Sequence, residues 1–116
     1  MNKINVKVTL KNNDSLGKLN CKALKKDGLI TYFDDLCKVI IKIGSEVSLI
    51  RENSDYKIEL FFNENLITNG SYFLKKEQVE LPLKIFTTKL LVTNEKIELF
   101  YSLEDQFVEY TMALGE

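Results

Sequence analysis

The stretch that decides the fold is KVIIKIGSEVSLIRENSDYKIELFF, residues 38–62. Apolar and polar side chains alternate in its three segments, and a period of two is typical of strands that bury one face. Gly44-Ser45 and Asn53-Ser54-Asp55 separate the segments and are short turn signals. The predicted inward sets are Val39, Ile41 and Ile43, then Val47, Leu49 and Arg51, then Tyr56, Ile58, Leu60 and Phe62.

The same alternation continues on both sides of this stretch. Asp27-Gly28 is a strong hairpin signal before it, and Asn94-Glu95 and Glu104-Asp105 are turn signals after it. Hairpin-length connections throughout favour a meander of about 8–10 strands, and a meander removes its exposed edges by closing into a barrel. A two-sheet sandwich is the rival, but a Greek-key sandwich requires long crossovers. The sequence therefore predicts one all-β domain over residues 1–116, a small antiparallel up-and-down barrel.

Three positions are expected to interrupt the regular strands. Gly70 predicts a bulge or bend, because glycine inside a strand weakens it. Pro82 predicts an edge or a bulge, since proline cannot donate a ladder hydrogen bond. The alternation slips near Phe86-Thr87-Thr88, as it does in a kinked strand or at a short turn.

Charge and hydropathy limit the classes of partner that the protein is expected to have. Sixteen basic and 17 acidic residues give a net charge of −1, and the acids are taken to match the lysines along the chain, so we expect no nucleic-acid binding. No run approaches the ~20 apolar residues of a membrane helix, and residues 1–7 alternate rather than form a leader. Cys21 and Cys37 are expected to be free thiols in a reducing cytoplasm.

The chain lacks the residues of the commonest active sites. It contains no histidine, which removes Ser-His and Cys-His nucleophile pairs and histidine-based zinc sites. Acidic pairs such as Asp34-Asp35 fall in turns, where solvated side chains are the rule. We therefore expect a protein that is not an enzyme and has no cofactor and no metal.

Several segments resemble a known family in their order and spacing. They are Tyr32, the strand Val47-Ser48-Leu49-Ile50-Arg51, Leu60-Phe61-Phe62, Gly70 with Tyr72, Leu83-Lys84-Ile85-Phe86-Thr87 followed by Leu90, and residues 97–103. In these the chain resembles the YwiB-like family of bacterial calycin-type β-barrel proteins, over residues 4–111. The resemblance implies a calycin, lipocalin-like barrel and supplies no activity. Lys75-Lys76-Glu77 stands where the family pattern predicts a glycine.

Two sets of residues are candidates for function. Arg51 alternates inward with Val47 and Leu49, so it either snorkels to the barrel mouth or holds an anionic group there. Tyrosines provide a polar handle on an apolar ring, and the ligand-binding set is Arg51, Tyr32, Tyr72 and Tyr101. The outward apolar side chains that predict a partner or homodimer interface are Phe61, Phe100, Ile40 and Ile50.

Two functions follow from these sets. The favoured one is a non-catalytic protein-interaction module that uses an outer sheet face or an edge, because large aliphatic side chains are expected to fill a narrow barrel. The alternative is a binder or carrier of a small apolar or amphiphilic ligand in the barrel mouth. A connected internal cavity above about 300 Å³ favours the carrier.

Overall fold

The computed structural model describes residues 2–13 and 15–115, so Met1, Asp14 and Glu116 lie outside the described residues. It contains ten strands: β1 (Asn2–Asn12), β2 (Ser15–Lys26), β3 (Leu29–Phe33), β4 (Lys38–Lys42), β5 (Val47–Glu52), β6 (Tyr56–Phe62), β7 (Ile67–Leu74), β8 (Val79–Val92), β9 (Lys96–Leu103) and β10 (Gln106–Leu114). Each strand pairs antiparallel with the next, and β1 pairs with β10, which closes the barrel. The predicted all-β up-and-down barrel is confirmed. Among the described residues, no helix is long and apolar enough to cross a membrane.

The barrel interior is packed tightly towards one end, which we call the filled end. This end carries the β2–β3, β4–β5, β6–β7 and β8–β9 turns. Because inward residues on paired strands lie opposite one another, the alternation of ten strands brings large apolar side chains into one core. The residues with essentially no exposure there are Ile30, Ile41, Phe62, Ile97, Leu99 and Met112.

The opposite end, which we call the open end, carries the β1–β2, β3–β4, β5–β6, β7–β8 and β9–β10 turns. Inward residues at this end surround empty space rather than one another. The expectation that aliphatic side chains fill the barrel therefore holds for the filled end and is wrong for the open end. Side-chain alternation sets which residues face inward, but the number of surrounding strands sets how wide the interior is.

The Asp27-Gly28 turn forms the predicted hairpin between β2 and β3. Both residues are in the left-handed region, with φ of 45° and 81°, as a two-residue turn of this kind requires. A Cβ on Gly28 would lie 2.6 Å from the backbone oxygen of Ile43, so the turn also packs closely against the end of β4. Glycine is needed here for both its conformation and its small size.

The three predicted irregularities have different outcomes. A bulge between Thr87 and Lys89 shifts the β8–β9 register, which confirms the slip in alternation. Pro82 lies in the part of β8 that pairs with β7 alone, because the pairing with β9 begins at Ile85, so its predicted edge position is confirmed. Gly70 keeps the regular β7–β8 register, so there is no bulge on that side, but the β6–β7 pairing stops at the neighbouring Ser71. A Cβ on Gly70 would collide with the backbone oxygen of Glu59, so glycine allows a close approach of the two strands here.

The seam between β2 and β3 is short. Only three residue pairs join them, from Leu24 opposite Thr31 to Lys26 opposite Leu29. Residues 15–23 of β2 pair with β1 but with no other strand among the described residues. We call residues 15–23 the β2 open edge. It runs along one side of the open end.

Candidate functional site

A cavity of about 410 Å³ occupies the open end of the barrel. Its wall is mainly apolar and comes from eight strands, all except β7 and β8. Apolar residues of the wall include Val8, Leu10, Val39, Leu49, Leu60 and Val108. Exposed Lys18, Asp35 and Gln106 lie around its mouth, and Leu36 in the β3–β4 turn lines it with 71% of its surface exposed. The cavity is therefore an apolar chamber with a polar rim open to solvent.

Arg51 lines the cavity, as its inward alternation predicted. Its Nη2 donates a hydrogen bond to Oδ2 of Asp34 at 2.7 Å, and the two side chains remain 33% and 22% exposed. No other side-chain or backbone acceptor among the described residues takes a hydrogen bond from this guanidinium. Since a guanidinium has five N–H donors, Arg51 keeps donors that no acceptor among the described residues uses.

Asp34 is a site residue that the sequence analysis placed in a solvated turn. Its Oδ1 accepts hydrogen bonds from the backbone N–H groups of Leu36 at 2.8 Å and Cys37 at 2.6 Å, which holds the β3–β4 turn in place. Burial opposes ionisation, but these two amides and the Arg51 charge outweigh it and keep the pKa of the Asp34 carboxyl below its ordinary value. Arg51 and Asp34 thus form an ion pair at the mouth. Its partners are 17 residues apart, and only the pairing of strands β3, β4 and β5 brings them together.

Tyr32 and Tyr110 meet deep in the cavity wall. Their hydroxyl oxygens are 2.6 Å apart, so one donates a hydrogen bond to the other, and both side chains are buried. Burial raises the pKa of Tyr32 to about 12, against a smaller opposite effect of the hydrogen bond, and it raises the pKa of Tyr110 well above 10. Sequence reasoning proposed Tyr32 but missed Tyr110, although Tyr110 alternates inward with Val108 and Met112.

Tyr101 also lines the cavity, as predicted, and is only 6% exposed. Its ring contacts Phe62 edge to face at a centroid separation of 4.9 Å. No group among the described residues hydrogen-bonds its hydroxyl. Burial raises the pKa of Tyr101 to about 12, so the hydroxyl remains a donor at neutral pH.

The geometry can be compared with known proteins. No family model matches the chain, and no curated protein matches it in sequence. The crystal structure of the YwiB protein from Bacillus subtilis superposes with a TM-score of 0.71 and 21% sequence identity, over 97% of this chain and 89% of that chain. The chain has the YwiB fold. The likeness that the sequence indicated is therefore confirmed at the level of the fold.

Tyr72 does not line the cavity of this YwiB-like barrel. It lies opposite Ile58 on β6, and its ring is 5.5 Å from that of Tyr56 between centroids. The Tyr56 hydroxyl in turn is 3.3 Å from the sulfur of Cys37. Tyr72 therefore belongs to a cluster next to the cavity wall, apart from Tyr32 and Tyr101.

The predicted interface residues do not form one patch on the YwiB-like barrel. Ile40 and Ile50 are directly opposite each other on β4 and β5, whereas Phe61 on β6 is opposite Ser48 and only diagonal to Ile50. Ile50 is only 5% exposed and has little surface to offer a partner. Phe100 is on β9, and strands β7 and β8 separate it from Phe61 on β6. The Lys89 ammonium lies 5.2 Å from the centre of the Phe100 ring.

Proposed function

We propose that the protein binds a small amphiphilic molecule in the open end of the barrel and carries or senses it. The cavity of about 410 Å³ is the observation that supports this function. It exceeds the threshold of about 300 Å³ at which small-molecule sites begin, and its apolar wall with a few polar groups is typical of them. This observation favours the carrier over the interaction module that sequence reasoning preferred.

The polar groups indicate how the ligand would be oriented. Val8, Leu49 and Leu60 would contact its apolar part. The free N–H groups of Arg51 and the unpaired hydroxyl of Tyr101 are donors, so they favour a ligand with an oxygen acceptor on its polar end. Asp34 already accepts three hydrogen bonds and offers little to a donor on the ligand.

The proposal is for binding without catalysis. A general base must be able to take a proton near neutral pH, and the pKa values of about 12 for Tyr32 and Tyr101 keep these phenols protonated there. Asp34 is held as a carboxylate, but the guanidinium that pairs with it lowers its basicity. We assign these groups to binding and orientation.

A calycin or lipocalin-like assignment and a bacterial, cytoplasmic origin are parts of the same proposal. A meander barrel with a ligand chamber at one end supports the first, and the likeness to a Bacillus subtilis protein supports the second. Cys21 and Cys37 are both free thiols, as a reducing compartment favours. Fractionation of the host cell with an antibody against the protein tests the location.

Titration with 1-anilinonaphthalene-8-sulfonate, an apolar ring system with one anionic group, tests the binding function. We expect saturable fluorescence enhancement at one site per chain. Val8→Phe places a ring in the cavity from a wall residue that is 7% exposed, and we expect it to abolish or strongly weaken binding. Val79→Phe is the matched control, because Val79 is 42% exposed and lies outside the cavity.

Circular dichroism and thermal unfolding must show that both variants keep the barrel. Binding of equal affinity by Val8→Phe and the parent protein would refute the cavity as the binding site. Absence of saturable binding by the parent would refute the proposed function. Native mass spectrometry of protein purified from its own host then identifies a retained ligand.

A further inference from the structure

Lysines are concentrated on the β1–β2 hairpin. Seven lysines lie in the first 26 residues, and Asp14 is the only acid there. The expectation that acids match lysines along the chain is therefore wrong for this hairpin. Six of the lysines alternate onto the outer face, opposite to the core residues Val6, Val8 and Ala23. They are Lys3, Lys7, Lys11, Lys18, Lys22 and Lys26, which we call the basic face.

Among the described residues no ion pair involves a lysine of the basic face, although Glu109 on β10 lies directly opposite Lys11. The basic residues that do form ion pairs in the described part of the chain are Arg51, Lys75, Lys89 and Lys96, and they all lie on other parts of the barrel. All six lysines of the basic face are exposed. A group of unpaired like charges raises the local positive potential and attracts an anionic partner.

The β2 open edge borders the basic face. From Ser15 to Ala23, β2 uses one side of its backbone to pair with β1, and no backbone hydrogen bond among the described residues involves the other side. Most of this edge is exposed. A free strand edge presents N–H and C=O groups in a row and is a template for another strand.

Another open edge in the barrel carries protection that the β2 open edge lacks. The first half of β8, residues 79–84, also pairs on one side only. It carries Pro82, which removes a donor, and the Glu104 side chain accepts a hydrogen bond from the Lys84 N–H. The β2 open edge contains no proline and no such covering contact.

We propose that the β2 open edge binds an extended acidic segment of a partner protein as an additional strand. Its backbone would supply the missing ladder hydrogen bonds, and its carboxylates would face Lys18 and Lys22 on the outer face. The inference does not rest on the proposed ligand, because neither the basic face nor the edge hydrogen bonds require a molecule inside the barrel, although Gly17, Lys18 and Leu19 of the edge also line the cavity.

Two other occupants fit the same surface less well. A second copy of this chain, paired antiparallel about Asn20, would place Lys18 directly opposite Lys22 of the other copy, and like charges across a ladder are destabilising. Single-stranded nucleic acid uses aromatic side chains as stacking platforms, and the first 31 residues contain no aromatic residue.

The test uses a fluorescein-labelled ten-residue peptide of alternating Glu and Val, whose carboxylates share one face of a strand. Fluorescence anisotropy at near-physiological salt measures its affinity for the full chain. Lys18→Glu/Lys22→Glu should weaken binding by about tenfold or more, since rim charges are converted from attraction to repulsion. The matched control is Lys42→Glu/Lys84→Glu, which replaces two exposed strand lysines elsewhere and changes the net charge by the same amount. It should bind the peptide like the parent protein.

A second peptide separates strand addition from charge attraction alone. The same sequence with every backbone nitrogen methylated keeps its carboxylates but cannot donate ladder hydrogen bonds, and it should bind about tenfold more weakly or worse. Equal binding of the methylated peptide, equal binding by Lys18→Glu/Lys22→Glu, or no binding of the parent peptide would each overturn the proposal. Tighter binding of a ten-nucleotide single-stranded DNA, or dimerisation of the chain that blocks the peptide, would overturn it as well.

Discussion

Replacing Arg51 with Met tests how much the ion pair at the cavity mouth stabilises the barrel. The methionine keeps an apolar stem against the wall and removes the charge that pairs with Asp34. Fully exposed pairs contribute about 0–1 kcal/mol, whereas hydrogen bonds to charged groups that are shielded contribute about 1.5–3 kcal/mol. With side chains 33% and 22% exposed, the Arg51–Asp34 pair lies between these limits. We therefore expect Arg51→Met to lower the free energy of unfolding by about 1–2 kcal/mol, or the melting temperature by about 5 °C.

The pH dependence of this loss has a definite sign. The folded-state pKa of Asp34 is below its ordinary value of 3.8, so the pair stabilises the fold above that pH and the effect is lost as pH falls through the folded-state pKa. Urea unfolding, followed by circular dichroism, should show the full difference between parent and Arg51→Met at pH 7. The difference should shrink progressively below about pH 4.

Asp34→Asn completes a double-mutant cycle. The asparagine keeps a side-chain oxygen to accept the amide hydrogen bonds of Leu36 and Cys37, so the turn is preserved while the charge is removed. We expect a coupling energy of about 1 kcal/mol between the two positions. The reasoning would be refuted if Arg51→Met were as stable as the parent at pH 7 and the coupling energy were near zero. Ligand binding would then remain as the reason for the guanidinium.

Three further predictions concern the interior. Tyr110→Phe should cost about 1 kcal/mol because it leaves the Tyr32 hydroxyl without its buried partner, and the double phenylalanine variant should cost less than the sum of the single ones in urea unfolding. Gly70→Ala should destabilise the barrel by more than about 2 kcal/mol because its Cβ would collide with a strand carbonyl, whereas Gly44→Ala, with nothing within 4 Å, should stay within about 0.5 kcal/mol. Spectrophotometric titration should show that Tyr32, Tyr101 and Tyr110 ionise only near pH 12 or above. Because these phenols ionise more easily in the unfolded chain, the free energy of unfolding should fall as pH rises past 10. Ionisation of all five tyrosines near pH 10 in the folded protein would contradict the burial argument.

The basic face was visible in the sequence but was missed for a specific reason. Lysines and acids were compared over the whole chain, where 16 and 17 nearly cancel. A hairpin, however, places its own residues on one surface regardless of charges elsewhere. Counting charges per hairpin rather than per chain would have found seven lysines, Lys18 and Lys22 among them, against one acid in the first 26 residues.

The local sequence determined the strands, their inward faces and the hairpin at Asp27-Gly28. It also determined that Arg51, Tyr32 and Tyr101 point inward, because side chains in a strand alternate strictly from face to face. These properties depend on neighbours within a few residues, so periodicity and turn chemistry are sufficient to predict them.

Tertiary structure alone decided that the barrel has a cavity and which polar groups surround it. Closure of ten strands sets the width of the interior, and no single strand contains that information. Because β1 pairs with β10 and closes the barrel, Tyr32 on β3 meets Tyr110 on β10 although 78 residues separate them. The pairing of β4 with both β3 and β5 brings Asp34 to Arg51. Contacts of this kind depend on the register of the whole sheet, because each strand position is set by its neighbours around the barrel.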